Sequence, residues 1–220
     1  MTYNASQITA RALLDAGAFL INPQAPFRLT SGLIAPFYIN CRLILGHAGA
    51  RSAIANALAA EVAMRDAEMI AGGVTAGVPF APLVADRLAL PLVYVRPQPK
   101  SHGTGGQIEG GEVRGRKVVL VEDLITSATS IVHFTNSLRG AGAEIEHASL
   151  VFARMTEAAQ PALDRIGMTV SVLCDMDTLI ALAEDEGVAD ATAITEVRAY
   201  LADAEGWSLA HSIPGSKERL

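Results

Sequence analysis

Val118-Val119-Leu120-Val121-Glu122-Asp123-Leu124-Ile125-Thr126-Ser127-Ala128-Thr129-Ser130 is the run on which the reading of this chain turns. Four consecutive branched apolar residues with no polar alternation predict a strand buried on both faces, as in a parallel sheet covered by helices. That strand ends in two adjacent carboxylates, Glu122 and Asp123. Small hydroxyl residues then open a helix from about Ala128 to Arg139, which Gly140-Ala141-Gly142 stops. In open α/β sheets ligands bind beyond the carboxyl ends of the strands, and a helix N-terminus offers unpaired amides and a positive dipole end to a phosphate. Thr126, Ser127, Thr129 and Ser130 add hydroxyl donors of little bulk, while Glu122 and Asp123 can accept hydrogen bonds from vicinal sugar hydroxyls. The run therefore suits a ribose and its 5-phosphate. Each feature alone is common at a solvated strand end before a capped helix; the whole run is specific. No GxxxxGK[ST] occurs, and the GxGxxG spacing after the first strand is missing, so neither a P-loop nor a dinucleotide fingerprint accounts for it.

Outward from this run the pattern alternates. Before it, the periodicity predicts a helix over 50–65 with Ile54, Leu58 and Val62 as its core stripe. There follow a strand at 69–71, a glycine-rich loop at 72–77, a helix from Pro79 to about Leu88 and a strand at 92–95. After it come a strand at 145–152, a helix at 157–165, a strand at 169–173 and two amphipathic helices at about 177–186 and 191–203. Ser6 is placed to cap a first helix running to about Gly17, and 27–30 and 37–40 read as short strands around the turn Ser31-Gly32. Such alternation predicts an α/β protein with a mostly parallel sheet and helices on both faces. The expected organisation is one domain. An N-terminal helix and hood occupy about 1–45, an α/β core about 46–174, and a helical C-terminal extension about 175–220. Residues 101–115 break the pattern, being polar, with six glycines and no apolar period. Segments of that kind inside compact domains serve as lids or binding loops, or as plain surface hairpins.

Composition narrows the function. The chain has 220 residues, half of them hydrophobic, and a formal net charge of −6, which disfavours nucleic acid and anionic membranes as partners. Positive charge gathers locally at Arg96, Lys100, Arg114, Arg116 and Lys117, either a solvated basic loop or an anion site. The two cysteines, Cys41 and Cys174, stand far apart and outside any CxxC. Small buried thiols in a reducing compartment are the expectation. Neither a signal peptide nor a membrane span is visible, and the cytoplasm is the expected location.

The central run resembles the signature of the type I phosphoribosyltransferases. Three further segments narrow the resemblance to the orotate phosphoribosyltransferases. Arg96-Pro97-Gln98-Pro99-Lys100-Ser101-His102-Gly103, followed by Gln107-Ile108-Glu109-Gly110, is similar to that family's mobile catalytic loop. Phe27 to Gly32 with Pro36-Phe37-Tyr38 resembles its base-covering hood. Gly72 to Pro79 resembles its pyrophosphate-meeting loop. The four segments stand in the family's order and span most of 27–154.

The resemblance implies transfer of the phosphoribosyl group of 5-phosphoribosyl diphosphate to orotate. It implies that Glu122 and Asp123 bind the ribose hydroxyls, and that the run Leu124, Ile125, Thr126, Ser127, Ala128, Thr129 and Ser130 cradles the 5-phosphate, with Thr126 also near the base. Thr75 and Ala76 would meet the diphosphate, and Arg96, Lys100 and His102 would neutralise it, with Lys100, His102 and Asp123 as the catalytic set. Arg154, in Phe152-Ala153-Arg154, would pair with the orotate carboxylate, and Tyr38 would approach the base. Mg²⁺ would ride on the diphosphate with no dedicated protein cage, and the active unit would be a homodimer whose mobile loop reaches the neighbouring site. Three positions depart from the family pattern: Pro97 where some members carry a second basic residue, Thr30 where some carry a hood lysine, and Ala128 where glycine is usual. Two other readings stay open. One is a phosphoribosyltransferase for another base, which would have no use for Arg154 and the hood. The other is a non-catalytic nucleotide sensor on the same fold, against which the intact acids, Lys100 and His102 argue.

Overall fold

The structure, a computed structural model, describes residues 4–99 and 106–212. In chain order it runs α1 (Ala5–Asp15), β1 (Phe19–Ile21), β2 (Phe27–Arg28), β3 (Ile34–Ala35), β4 (Phe37–Ile39), a 3-10 turn (Cys41–Gly46), α2 (Ala48–Val62), β5 (Met69–Gly73), α3 (Ala81–Leu88), β6 (Leu92–Val95), β7 (Ile108–Glu109), β8 (Lys117–Ile125), α4 (Thr129–Gly140), β9 (Glu144–Ala153), α5 (Ala159–Arg165), β10 (Thr169–Asp175), α6 (Met176–Asp185), α7 (Ala191–Ala202) and α8 (Ala204–His211).

The main sheet has six strands in the order β10-β9-β8-β5-β6-β7. All neighbours are parallel except the short edge strand β7, which is antiparallel to β6. The class expected from the alternating pattern is therefore the one observed. The apolar run in β8 feeds both faces, because successive side chains point to opposite sides of a strand. Val119 and Val121 enter the core formed with α1, α2, α3 and the C-terminal helices; Val118 and Leu120 enter the core under α4 and α5. Leu120 is fully buried, and burying such a side chain contributes about 1.5–3 kcal/mol. Cys41 and Cys174 are both buried and unbridged. Burial pushes both thiols up, Cys174 to about 12, so neither is a ready nucleophile. Among the described residues no helix is long and apolar enough to cross a membrane.

Several local expectations change. Asn4, not Ser6, caps α1, in a reciprocal capping box with Gln7. Ser6 instead lies 3.2 Å from Thr178 and joins α1 to α6. The two segments expected to form one hairpin separate: β2 pairs with β3 around the Ser31-Gly32 turn, while β4 pairs with β1, a strand the periodicity did not show. Strand β5 extends through Gly73, so the loop after it starts at Val74, and β8 continues past the acid pair to Ile125. Among the described residues the C-terminal extension holds three helices rather than two. Asp203 ends α7 and caps α8, its carboxylate accepting from the Gly206 amide at 2.9 Å.

Candidate active site

The carboxyl ends of four adjacent strands lie side by side. In sheet order, β9 carries Arg154, β8 the hydroxyl-rich turn, β5 the loop with Thr75 and Ala76, and β6 Arg96. Backbone bonds hold the row together. The Arg154 amide donates to the Ile125 carbonyl at 2.9 Å and the Thr156 amide to Thr126 at 3.1 Å, so the exit of β9 is tied to the turn after β8. The Val74 amide donates to the Val95 carbonyl at 2.9 Å, which ties the β5 loop to β6.

Two concavities share this edge. Leu124 to Ile131 wrap a small cup of about 50 Å³ at the N-terminus of α4. A larger cavity of about 550 Å³ opens beside it beneath the hood. Leu124, Thr126 and Ser127 line both, and Tyr38 and Arg154 line the larger one. Of the residues singled out in the sequence, the run 124–130, Tyr38 and Arg154 are thus gathered around adjoining spaces. Arg96 and the Thr75–Ala76 loop stand further along the edge and line neither space. Lys100 and His102 lie outside the described residues.

The cup depends on an unusual backbone. Ala128, the N-cap of α4, has φ 62° and ψ 3°, in the left-handed region. That conformation costs an alanine about 1–2 kcal/mol that a glycine would not lose. The Ala128 carbonyl nevertheless accepts the first helical bond, from the Val132 amide at 2.9 Å.

The two acids occupy different places, because neighbours on a strand face opposite ways. Asp123 is partly exposed and lies near Cys41 and Arg42 of the 3-10 turn. Burial raises its carboxyl and the nearby Arg42 charge partly offsets that rise. Glu122 is 5% exposed and turned beneath the β5 loop. A Cβ built on Gly73 would collide with Glu122 Oε1 and the Phe134 ring, and one on Gly77 with Glu122 Oε1 and the Val121 carbonyl. Glycine at both positions is what lets the acid lie against that backbone. Burial first, and the Asp123 charge second, push the Glu122 carboxyl from 4.5 to about 8. Glu122 thus lies beneath the β5 loop, whereas Asp123 is partly exposed beside the 3-10 turn.

Glu122 makes the fold sensitive to pH. In the unfolded chain it ionises near 4.5 and in the folded chain near 8, so its contribution is fully present below 4.5 and is lost as pH rises through 8. Glu122→Gln removes the ionisation. Its melting temperature is expected to gain on wild type progressively between pH 5 and 9, by an amount corresponding to roughly 3–4 kcal/mol at the top of that range. A difference that stays flat across the range contradicts this placement of the acid.

The cavity also contains residues that sequence reasoning did not single out. Arg28 and Phe37 come from the hood, Thr156 follows β9, and Tyr200 and Ala204 belong to the C-terminal helices. The hood residues stood inside a recognised segment; Tyr200 had no local signal, being one apolar position on an amphipathic helix.

The model of the phosphoribosyl transferase domain family matches residues 45–179, which carry the sheet edge, the small cup and Arg154. The chain is 42% identical over 206 residues to the orotate phosphoribosyltransferase of Jannaschia sp. (strain CCS1), an alignment covering 91% of this chain and 90% of that one. It is 38% identical over 208 residues to that of Cereibacter sphaeroides (strain KD131 / KCTC 12085), covering 92% and 89%. Among solved structures, it resembles the orotate phosphoribosyltransferase of Aeropyrum pernix with a TM-score of 0.70 and 33% identity, over 82% of this chain and 99% of that one. The chain belongs to the orotate phosphoribosyltransferase family.

Proposed function

We propose that the protein transfers the phosphoribosyl group of 5-phosphoribosyl diphosphate to orotate, giving orotidine 5′-phosphate and diphosphate, a step of pyrimidine biosynthesis. The observation that carries the choice of base is Arg154. It lines the large cavity and, among the described residues, makes no ion pair with an acid of its own chain. A guanidinium held there matches a planar carboxylate, the group that sets orotate apart from uracil and from purines.

The order of groups along the sheet edge supports the following reading of the reaction. The base lies at β9 under the hood and the 5-phosphate in the cup on the amides and hydroxyls of 126–130. The diphosphate extends toward the β5 loop, with Thr75 and Ala76, and toward Arg96. Asp123 holds ribose hydroxyls. As the bond from C1 to the diphosphate oxygen weakens, positive charge grows on the ribose ring and negative charge on the leaving group, and the orotate nitrogen closes on C1 from the opposite face, its N–H proton passing to the departing diphosphate. Arg96, Lys100 and His102 take up the leaving charge, and preorganised charge of this kind is usually the largest catalytic term. Among the described residues no three His, Cys, Asp or Glu side chains gather to hold a metal ion. Mg²⁺ would come with the diphosphate and offset its charge. We place the enzyme in the cytoplasm as a homodimer in which residues 100–115 serve the neighbouring subunit's site.

The test supplies 5-phosphoribosyl diphosphate and Mg²⁺ with orotate, uracil or hypoxanthine, one base at a time. Orotate is expected to be consumed at least about 10²-fold faster than the others at equal concentration, because a site built for a buried charge pair rejects ligands that leave the charge unpaired. Equal rates with uracil would contradict the role of Arg154, and preference for hypoxanthine would contradict the proposed substrate.

A further inference from the structure

The last two helices have an observable link to the base cavity. Tyr200 of α7 is 1% exposed and lines that cavity. Its ring meets Phe37 of the hood edge-on, with centroids 5.6 Å apart and planes at 87°. The Arg154 guanidinium carbon lies 5.9 Å from the Phe37 centroid and 6.0 Å from that of Tyr200. Two nearly perpendicular rings, drawn from opposite ends of the chain, thus share one cation at the distance where ring quadrupoles attract it.

The Tyr200 ring is itself braced. Trp207 of α8 packs edge-on against it at 5.8 Å and 81°. The Trp207 indole N–H donates to Glu196, one turn before Tyr200 on α7, at 2.7 Å. His211 stacks on Trp207 at 3.9 Å and 11°. The Ile34 amide of the hood donates to Ser208 Oγ of α8 at 3.0 Å, so the brace is fastened to the strand pair that roofs the cavity.

We infer that Tyr200 is a positioning residue for Arg154, and that the helix pair α7–α8 is a working wall of the base site. An arginine side chain has many rotamers, and holding it in the binding geometry beforehand reduces the ordering required when substrate arrives. The ring face supplies this hold and the phenolic oxygen does not. Phenylalanine therefore substitutes for Tyr200, whereas leucine, which stays apolar but is smaller and has no π face, does not. The kinetic arm of the test rests on the orotate reading.

Steady-state constants are measured for Tyr200→Phe, Tyr200→Leu, Arg154→Ala and Tyr200→Leu/Arg154→Ala. Tyr200→Leu is expected to raise the KM for orotate roughly tenfold and to leave that for 5-phosphoribosyl diphosphate within about twofold. Tyr200→Phe is expected to stay within about twofold of wild type on both. In the Arg154→Ala background Tyr200→Leu is expected to add less than about twofold, the signature of two residues acting as a unit. A parallel rise in both KM values, effects that multiply in the double variant, or a Tyr200→Phe as damaged as Tyr200→Leu overturns the inference. A second arm needs no turnover. The Arg154 Nε–H resonance in NMR spectra is expected to be ring-current shifted in wild type and to move toward the free-arginine position in Tyr200→Leu; an unmoved resonance overturns the inference by itself. Should wild type fail to consume orotate, the proposed substrate falls and the NMR arm still decides the positioning.

Discussion

Arg154→Ala is expected to raise the KM for orotate by on the order of 10²-fold while the KM for 5-phosphoribosyl diphosphate stays within about threefold. Hydrogen bonds to a charged group are worth roughly 1.5–3 kcal/mol each, and a carboxylate left unpaired in a closed site loses its solvation as well. The split between the two constants follows from position. Arg154 lines the hooded cavity and is absent from the cup formed by 124–131, the place proposed for the 5-phosphate, so its loss is expected to leave the phosphate contacts intact. The backbone should survive the change, since the contact that ties this residue to the turn after β8 is made by its amide, at 2.9 Å from the Ile125 carbonyl. Initial-rate measurements with each substrate varied in turn check this. Equal effects on both constants would mean that Arg154 holds the turn rather than the base.

Lys100→Ala is expected to lower kcat by roughly 10²–10³-fold with a melting temperature close to wild type. Lys100 follows Arg96 by four positions and precedes His102 in the segment that resembles the family's catalytic loop. The segment's foot is fixed by the Arg96 amide donating to Gln107 at 2.9 Å and by the Gln107 side chain donating to the Arg96 carbonyl at 2.8 Å. A cation that meets the diphosphate only as charge builds on it acts on the chemical step, so kcat and kcat/KM fall together. If the segment serves the neighbouring subunit, a mixture of Lys100→Ala and Asp123→Asn chains recovers up to about a quarter of wild-type activity, from half heterodimers with one intact site each. No recovery after demonstrated subunit exchange would show that each segment serves its own chain.

The core was legible because its signals are local. The apolar run in β8, the stripe of Ile54, Leu58 and Val62 on α2 and the glycines after α4 each state their element in a few residues. The hood was not, because strands of two or three residues carry no period. What fixes β1 is its pairing across the chain, Phe19 opposite Ile39 and Ile21 opposite Phe37. The cavity wall formed by Tyr200 was hidden for the same reason: this residue meets Phe37 only after the C-terminal helices fold back on the hood. The acid pair was legible as a motif but not as geometry. Sequence adjacency of Glu122 and Asp123 suggested one shared ligand, whereas β8 runs through them to Ile125 and sends the two side chains to opposite faces. Ala128 shows the converse: the residue departs from the family's glycine, yet the chain keeps the left-handed backbone that glycine favours.

The assay of base consumption tests the central claim most directly when carried through to products. Purified protein is incubated with orotate, 5-phosphoribosyl diphosphate and Mg²⁺; the fall in orotate absorbance is followed, and orotidine 5′-phosphate and diphosphate are quantified. The expected result is one of each product per orotate consumed, with no reaction when 5-phosphoribosyl diphosphate is left out and none when a chelator removes Mg²⁺. Orotate left unchanged in the complete mixture, by protein shown to be folded and to bind 5-phosphoribosyl diphosphate, would contradict the assignment and favour a nucleotide sensor built on the same fold.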